Sequence, residues 1–310
     1  MKKNRRSSLA SFFAVVVLST AIADGSTFVR PLRAQGVLAS QASVNSRVQT
    51  IQFESKLVGK TLPYNVLLPV NYNLPDSRTK RYPVVYLLHG LTGHYTNWLE
   101  KTKLVDYTAP YEFIIVMPEG NDGWYTDSAT VPTDKYESYI LQELIPDVEK
   151  RFRASSNAGN RAIAGLSMGG YGALKFGVKY PQQFVFAASM SGALGAASWT
   201  ESDLKGLEFI LRSLQSVYGS EGSPTRAAND LGRLYRDLPA ASIASLPYIY
   251  LDCGTEDPLL QVNRDFAAIL MTRKIPHEYR QLPGSHSWTY WDSQVQEVLR
   301  IAARRFGKSL

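Results

Sequence analysis

Gly165-Leu166-Ser167-Met168-Gly169 is the stretch that decides how this chain is read. The segment before it, Asn160-Arg161-Ala162-Ile163-Ala164, has the short apolar character of a buried strand's end. The segment after it, Gly170-Tyr171-Gly172-Ala173-Leu174-Lys175-Phe176, reads as the start of a helix. A serine on so sharp a strand-to-helix turn is forced into a strained backbone conformation and left exposed at the sheet edge. The flanking glycines supply room that a Cβ would obstruct, and the turn is a nucleophile elbow. The five-letter pattern alone arises by chance in about one chain in ten of this length. A Gly-rich turn before a helix would look the same, so the flanking elements and the partner residues must separate the two.

Strands alternate with helices on both sides of this turn. Val48–Glu54 and Thr61–Pro69 read as an antiparallel hairpin, with Val58-Gly59-Lys60 as its turn. Tyr82–Leu88 and Phe113–Met117 are short, nearly continuous apolar runs, as strands buried on both faces require. Asn160–Leu166, Phe184–Met190, Pro247–Cys253 and His277–Leu282 bring the count to about eight. Helices are predicted over Asp134–Phe152, Gly169–Tyr180, Pro258–Arg273 and Trp291–Phe306. The first shows Ile140, Leu144 and Val148 at i, i+4 spacing, with Thr133 or Asp134 available as a cap. Pro146 inside it predicts a kink or a break. This alternation implies an α/β fold with a mostly parallel sheet covered by helices on both faces. Residues 192–246 interrupt the pattern with Gly, Ser, Ala and short helical pieces. They read as an insertion over the sheet edge, either a cap on the active site or plain surface helices.

An activated serine needs a base, and the base needs an orienting carboxylate. In this architecture the chain order is Ser, then Asp or Glu, then His. His286 lies in Pro283-Gly284-Ser285-His286-Ser287-Trp288, between the last predicted strand and the final helix, and takes the base role. His277 begins that strand at the opposite end of the sheet and reads as structural. Three carboxylates compete for the acid: Asp252, Glu256 and Asp257. Asp257 is favoured, sitting farther out and just before a helix, where it could also serve as an N-cap. The tetrahedral intermediate requires backbone donors. The Met168 amide should be one. The second should come from Leu88-His89-Gly90-Leu91-Thr92-Gly93, with the Leu91 amide as first choice. His89 is read as stabilising that turn beside the substrate pocket. Trp124, in the loop Pro118–Asp127, is read as a wall of the acyl pocket. Trp98, Trp288 and Trp291 are equally well read as packing residues.

Composition narrows the function class. Apolar residues make up 45% and charged residues 20% of the 310, which describes a globular chain with a sizeable core. Lys2, Lys3, Arg5 and Arg6 precede the uncharged, mostly apolar Leu9–Ala23. This predicts an export signal within residues 1–34, cut after Ala23 or Ala34, with a low-hydrophobe lead-in over 24–46. The apolar stretch is short for a membrane span, so no stable anchor is expected after cleavage. Of the formal net charge of +7, residues 1–34 supply +5, leaving +2 for the rest. The basic balance is therefore poor evidence for nucleic-acid binding. The single cysteine, Cys253, precludes an intramolecular disulfide and reads as a buried, inert thiol. The four His lack metal-ligand spacing and no dinucleotide or P-loop motif is present, so no metal or cofactor is expected.

Together these segments resemble the Putative esterase family of α/β-hydrolases. That group includes S-formylglutathione hydrolase (esterase D), tributyrin esterases, feruloyl esterases and the antigen 85 acyltransferases. The resemblance is carried by YPVVYLLHGLTGHYTNW at 82–98, VMPEGNDGWYTD at 116–127 and IAGLSMGGYGALK at 163–175. LDCGTEDPLL at 251–260 and PGSHSWTYW at 283–291 complete it, within a catalytic domain at 48–306. It implies Ser167, Asp257 and His286 as triad and Leu91 and Met168 as oxyanion-hole positions. The expectation is a secreted or periplasmic serine carboxylesterase acting on small-molecule esters with short to medium acyl chains. The alternatives are acyl transfer to a sugar or alcohol, feruloyl or acetyl-xylan type esterase activity, and a thioesterase of the S-formylglutathione hydrolase kind. An export signal argues against that cytosolic thioester. A non-catalytic binding protein on the same fold is the reading from a different class, and an intact Ser, His and Asp set argues against it.

Overall fold

A computed structural model describes residues 47–307. The expected signal segment and lead-in lie outside them. Among the described residues ten strands occur: β1 (Val48–Ile51), β2 (Glu54–Ser55), β3 (Lys60–Thr61), β4 (Tyr64–Leu67), β5 (Val84–Leu88), β6 (Ile114–Pro118), β7 (Arg161–Leu166), β8 (Phe186–Met190), β9 (Tyr248–Gly254) and β10 (His277–Leu282). Eight form one sheet in the order β1-β4-β6-β5-β7-β8-β9-β10. The first two pairings are antiparallel and the rest parallel. The strand leading to the serine, β7, therefore lies in the interior of the sheet, between β5 and β8.

Alternation along the strands explains the layering. In β5, Val84, Tyr86 and Leu88 enter one core while Val85 and Leu87 enter the other; in β6, Ile114 and Val116 oppose Ile115 and Met117. Burying a Val or Leu contributes roughly 1.5–3 kcal/mol, so a strand apolar on both faces loses half its driving force unless both are covered. The first face is covered by the helices Met168–Lys179 and Leu260–Thr272 and by the segment Tyr136–Arg151. The second is covered by Trp288–Arg305 and by Trp98 and Leu104.

Three local expectations are corrected. The antiparallel pair is β1 with β4, in the register Val48↔Leu67 and Ile51↔Tyr64, but it is not one continuous hairpin. Between the two, β2 and β3 form a small sheet of their own around Gly59, whose φ of 66° favours glycine. Secondly, of the kink or break expected at Pro146, the break does not occur. The chain passes through a π-helical stretch, Tyr139–Leu144, and re-enters α-helix at Ile145–Arg151. Proline has no N–H to give to the preceding turn, and a widened turn accommodates the loss without ending the helix. Thirdly, neither Thr133 nor Asp134 caps the segment by a side-chain bond. Asp127, from the loop before it, accepts the Ser138 N–H at 2.9 Å.

The residues 192–246 are docked against the serine's own helix. Tyr171 OH donates to Asn229 O at 2.7 Å, and Tyr235 OH to Leu174 O at 3.1 Å. The helix Glu208–Tyr218 is tied through Ser213 to the loop after β6.

One buried ion cluster holds that loop. Lys175 is fully buried and donates to Glu137 Oε2 at 2.8 Å, and Lys179 lies 2.6 Å from Glu137 Oε1. Burial alone would raise the Glu137 carboxyl, but Lys175 and Lys179 outweigh it and pull it from 4.5 to about 2. A carboxyl with a depressed folded pKa stabilises the fold above its unfolded value and ceases to do so as pH falls through the folded one. Removing one partner of a buried ion pair leaves the other charge uncompensated, so Glu137→Gln is expected to lower stability by roughly 3–5 kcal/mol at pH 7. The gap to wild type should close between pH 4.5 and 2. Denaturant unfolding of both proteins across that range checks it; a gap constant with pH contradicts it.

Candidate active site

Ser167 is the single residue between β7 and the helix Met168–Lys179, with φ 51° and ψ −115°. A non-glycine residue in this region costs on the order of 1–3 kcal/mol and persists only where its surroundings over-determine it. Here they do. Ser167 N–H donates to Met190 O at 2.9 Å, and Ser167 O accepts from Tyr171 N–H at 3.0 Å and Ala193 N–H at 3.1 Å. The two glycines of the motif are required by contact. A Cβ on Gly165 would lie 2.5 Å from the Gly169 carbonyl, and one on Gly169 would lie 2.6 Å from His89 O.

The structure brings the three expected side chains into one line. His286 Nε2 lies 3.1 Å from Ser167 Oγ, and His286 Nδ1 lies 2.9 Å from Asp257 Oδ2. Asp257 also accepts the Leu259 N–H on Oδ1 at 2.8 Å, so its turn-stabilising role and its contact with the histidine use different oxygens. Trp291 packs edge-to-face on the imidazole, with ring centroids 4.9 Å apart.

The other two carboxylates have separate partners. Glu256 accepts the Gly284 N–H, and Glu256 N–H donates to Gly284 O at 3.0 Å, which pins the histidine loop to the loop after β9. Asp252 is fully buried and accepts from Tyr290 OH at 2.9 Å; burial raises its carboxyl to about 7. His277 holds Ile275 O through Nδ1 at 2.8 Å, a structural contact as expected. Cys253 is buried, and burial pushes its thiol well up, which disfavours the reactive thiolate.

Two backbone amides are expected to serve the serine, those of Met168 and Leu91. Met168 is the first residue of its helix, so its N–H has no carbonyl partner within the helix and sits at the positive end of the dipole. The loop after β5 presses on the elbow from the other side. A Cβ on Gly90 would lie 3.4 Å from Ser167 Cβ and 2.6 Å from Leu166 Cδ1. Gly90 O accepts from Gly93 N–H at 3.0 Å and from His89 Nδ1 at 2.8 Å. In a trans peptide the N–H points away from its carbonyl, so fixing Gly90 O fixes the direction of the Leu91 N–H.

The histidine in this turn is a neutral tautomer assigned from its bonds. Gly120 N–H can only donate, and it does so to His89 Nε2 at 2.9 Å. The ring proton therefore sits on Nδ1, facing Gly90 O. Glu119 Oε1 approaches Nε2 at 3.3 Å, but with that nitrogen accepting, the carboxylate is held chiefly by the Asn121 N–H at 2.8 Å.

The expectation that His89 and Trp124 line a substrate pocket is corrected. They are 1% and 2% exposed. Trp124 Nε1 donates to Ser213 Oγ at 2.8 Å and its ring packs edge-to-face on Tyr171. Both lie beneath the site rather than at its wall, because the loop after β6 folds its aromatic side chains inward against the serine's helix. Sequence reasoning also passed over Glu119, Asp122, Tyr125 and Lys175. Asp122 Oδ1 accepts the Thr92 N–H at 2.6 Å and so joins the loops after β5 and β6. For Lys175 a signal was available: a charge set between Leu174 and Phe176, inside the uncharged run that precedes Lys179.

Among the described residues no group of three or more His, Cys, Asp or Glu could hold a metal ion, and no helix is long and apolar enough to cross a membrane.

The sheet order, the strained serine turn and the histidine on the loop after the last strand define an α/β-hydrolase. The model of the family described as Putative esterase matches residues 55–301, and the chain belongs to that family. It is 28% identical over 256 residues to an acetyl esterase of Caldicellulosiruptor saccharolyticus, covering 80% of this chain and 95% of that one. The solved structure of a ferulic acid esterase is 28% identical with a TM-score of 0.70, covering 84% of this chain and 98% of its own. The substrate-bound fluorophosphonate-binding serine hydrolase FphF of Staphylococcus aureus is 26% identical with a TM-score of 0.72, covering 82% and 97%. The chain is a carboxylic ester hydrolase.

Proposed function

We propose that the chain is an exported serine esterase that cleaves short- to medium-chain acyl esters through an acyl-enzyme. One arrangement carries this reading: His286 bridges Ser167 Oγ at 3.1 Å and Asp257 Oδ2 at 2.9 Å. His286 Nε2 takes the Ser167 proton as Oγ attacks the ester carbonyl. The resulting oxyanion is held by the Met168 and Leu91 amides, preorganised donors that need no reorientation as charge develops. His286 then protonates the departing alcohol oxygen, leaving an acyl-Ser167 ester. A water deprotonated by His286 attacks that ester, and the proton returns to Ser167 as the acid leaves. Asp257 keeps the imidazole in the tautomer that accepts on Nε2 and stabilises the transient imidazolium.

The test is hydrolysis of p-nitrophenyl acetate, butyrate and octanoate and of methyl ferulate by the purified chain. Turnover should be highest for one of the acetate, butyrate and octanoate esters, with alcohols or sugars added as acceptors leaving the free acid as main product. Preference for methyl ferulate, or acyl transfer outcompeting water, would overturn the substrate assignment. Export rests on the basic start and the apolar Leu9–Ala23 stretch. N-terminal sequencing of the protein recovered outside the cytoplasm should begin at Asp24 or Gln35.

A further inference from the structure

We infer that Tyr125, seated by Lys175, is a positioning residue for the oxyanion hole, holding the loop that carries the Leu91 amide in fixed relation to Ser167. The inference rests on the proposed serine mechanism. Tyr125 is fully buried and lies on the loop after β6, with φ 49°; Asn121 and Trp124 of the same loop have φ 42° and 50°. Three strained residues in five need strong external holding.

Lys175 supplies it. It stands about two turns after Ser167 on the same helix. Its Nζ donates to Tyr125 O at 2.6 Å, Thr126 Oγ1 at 2.5 Å and Glu137 Oε2 at 2.8 Å. An ammonium has three protons, and these three acceptors use all of them. Burying so well hydrated a charge is costly, which favours a specific task over packing alone.

The tyrosine ring is clamped as well. A Cβ on Gly120 would lie 2.5 Å from it and one on Gly172, on the serine's helix, 2.7 Å. The phenol OH then donates to His89 O at 3.0 Å. The same carbonyl presses on Gly169 of the elbow. His89 O belongs to the peptide before Gly90, and the Gly90 carbonyl sets the direction of the Leu91 N–H. Tyr125 thus bonds or packs against both the helix that presents the nucleophile and the loop that presents the second donor. Oxyanion stabilisation depends on donors placed within a few tenths of an ångström of the developing charge, so slack in this support acts on the transition state more than on the bound ester.

Tyr125→Phe removes one oxygen and leaves the ring between its glycines. It should lower kcat about tenfold with KM within twofold, and weaken a trifluoromethyl ketone, whose adduct with Ser167 carries the oxyanion, by a similar factor. Lys175→Met combined with Glu137→Gln replaces the buried ion pair by neutral side chains and should reproduce the pattern. A Tyr125→Phe protein with lowered Tm but wild-type kcat and ketone affinity would overturn the inference and leave Tyr125 a packing residue. Failure of the serine mechanism itself would look different: the wild-type chain would neither turn over esters nor bind the ketone.

Discussion

Ser167→Ala is expected to lower kcat for p-nitrophenyl ester hydrolysis by roughly 10⁵-fold while leaving the fold in place. The substitution removes Oγ and keeps Cβ, so the contact of Cβ with the Gly90 loop and the bonds of Ser167 N–H and O to Met190, Tyr171 and Ala193 persist. The positive φ of 51° is no worse for alanine than for serine. What is lost is the only atom that can form the acyl bond. The amides of Met168 and Leu91 remain, so residual rate above uncatalysed hydrolysis should survive. His286→Ala should cost a similar factor. The double variant should be scarcely worse than either single, because nucleophile and base act in one step. Steady-state rates of the three proteins, with a fluorophosphonate probe to count reactive serines, decide it. Multiplicative losses in the double variant would mean that the two side chains do not share a proton.

The parts of this molecule legible in the sequence are those set by local pattern. Apolar runs such as Val84–Leu88 fill two cores at once, and no other environment suits them. The glycines around Ser167 report a steric need that Gly165 and Gly169 do meet in three dimensions. Chain order confined the acid to Asp252, Glu256 and Asp257 and the base to the loop that holds His286, and the place of Asp257 farther out, just before a helix, singled it out. What escaped is set by through-space contact. Asp127 caps a helix nine residues further on, which no capping pattern predicts. A pocket-wall place for Trp124 follows from its loop's position at the right sheet end, but whether a side chain on such a loop turns inward depends on its partner, Ser213, 89 residues away. Lys175 and Glu119 were passed over because charged residues default to the surface, and the fold shows both enclosed and bonded.

Asp257→Asn should reduce kcat by about 10³–10⁴-fold with little change in stability. The argument follows from the two oxygens. Oδ1 of Asp257 accepts the Leu259 N–H and Oδ2 faces His286 Nδ1. In the asparagine variant the amide oxygen keeps the Leu259 bond, and the amide nitrogen is left facing His286. That nitrogen can only donate, so the imidazole must accept on Nδ1 and carry its proton on Nε2. Nε2–H then faces Ser167 Oγ and has no lone pair to take the serine proton. Turning the amide over restores an acceptor to His286 but sets two N–H groups against each other at Leu259, at a cost of one buried hydrogen bond, about 1–3 kcal/mol. The variant therefore divides between a wrong tautomer and a strained loop, and the tautomer penalty falls on kcat. Fluorophosphonate labelling, which also needs a deprotonated Ser167, should slow by a similar factor, and ¹⁵N shifts of His286 should report the exchange of protonated nitrogen. A variant that labels and turns over at near wild-type rates would show that Asp257 only holds its turn, and that His286 finds its orientation elsewhere.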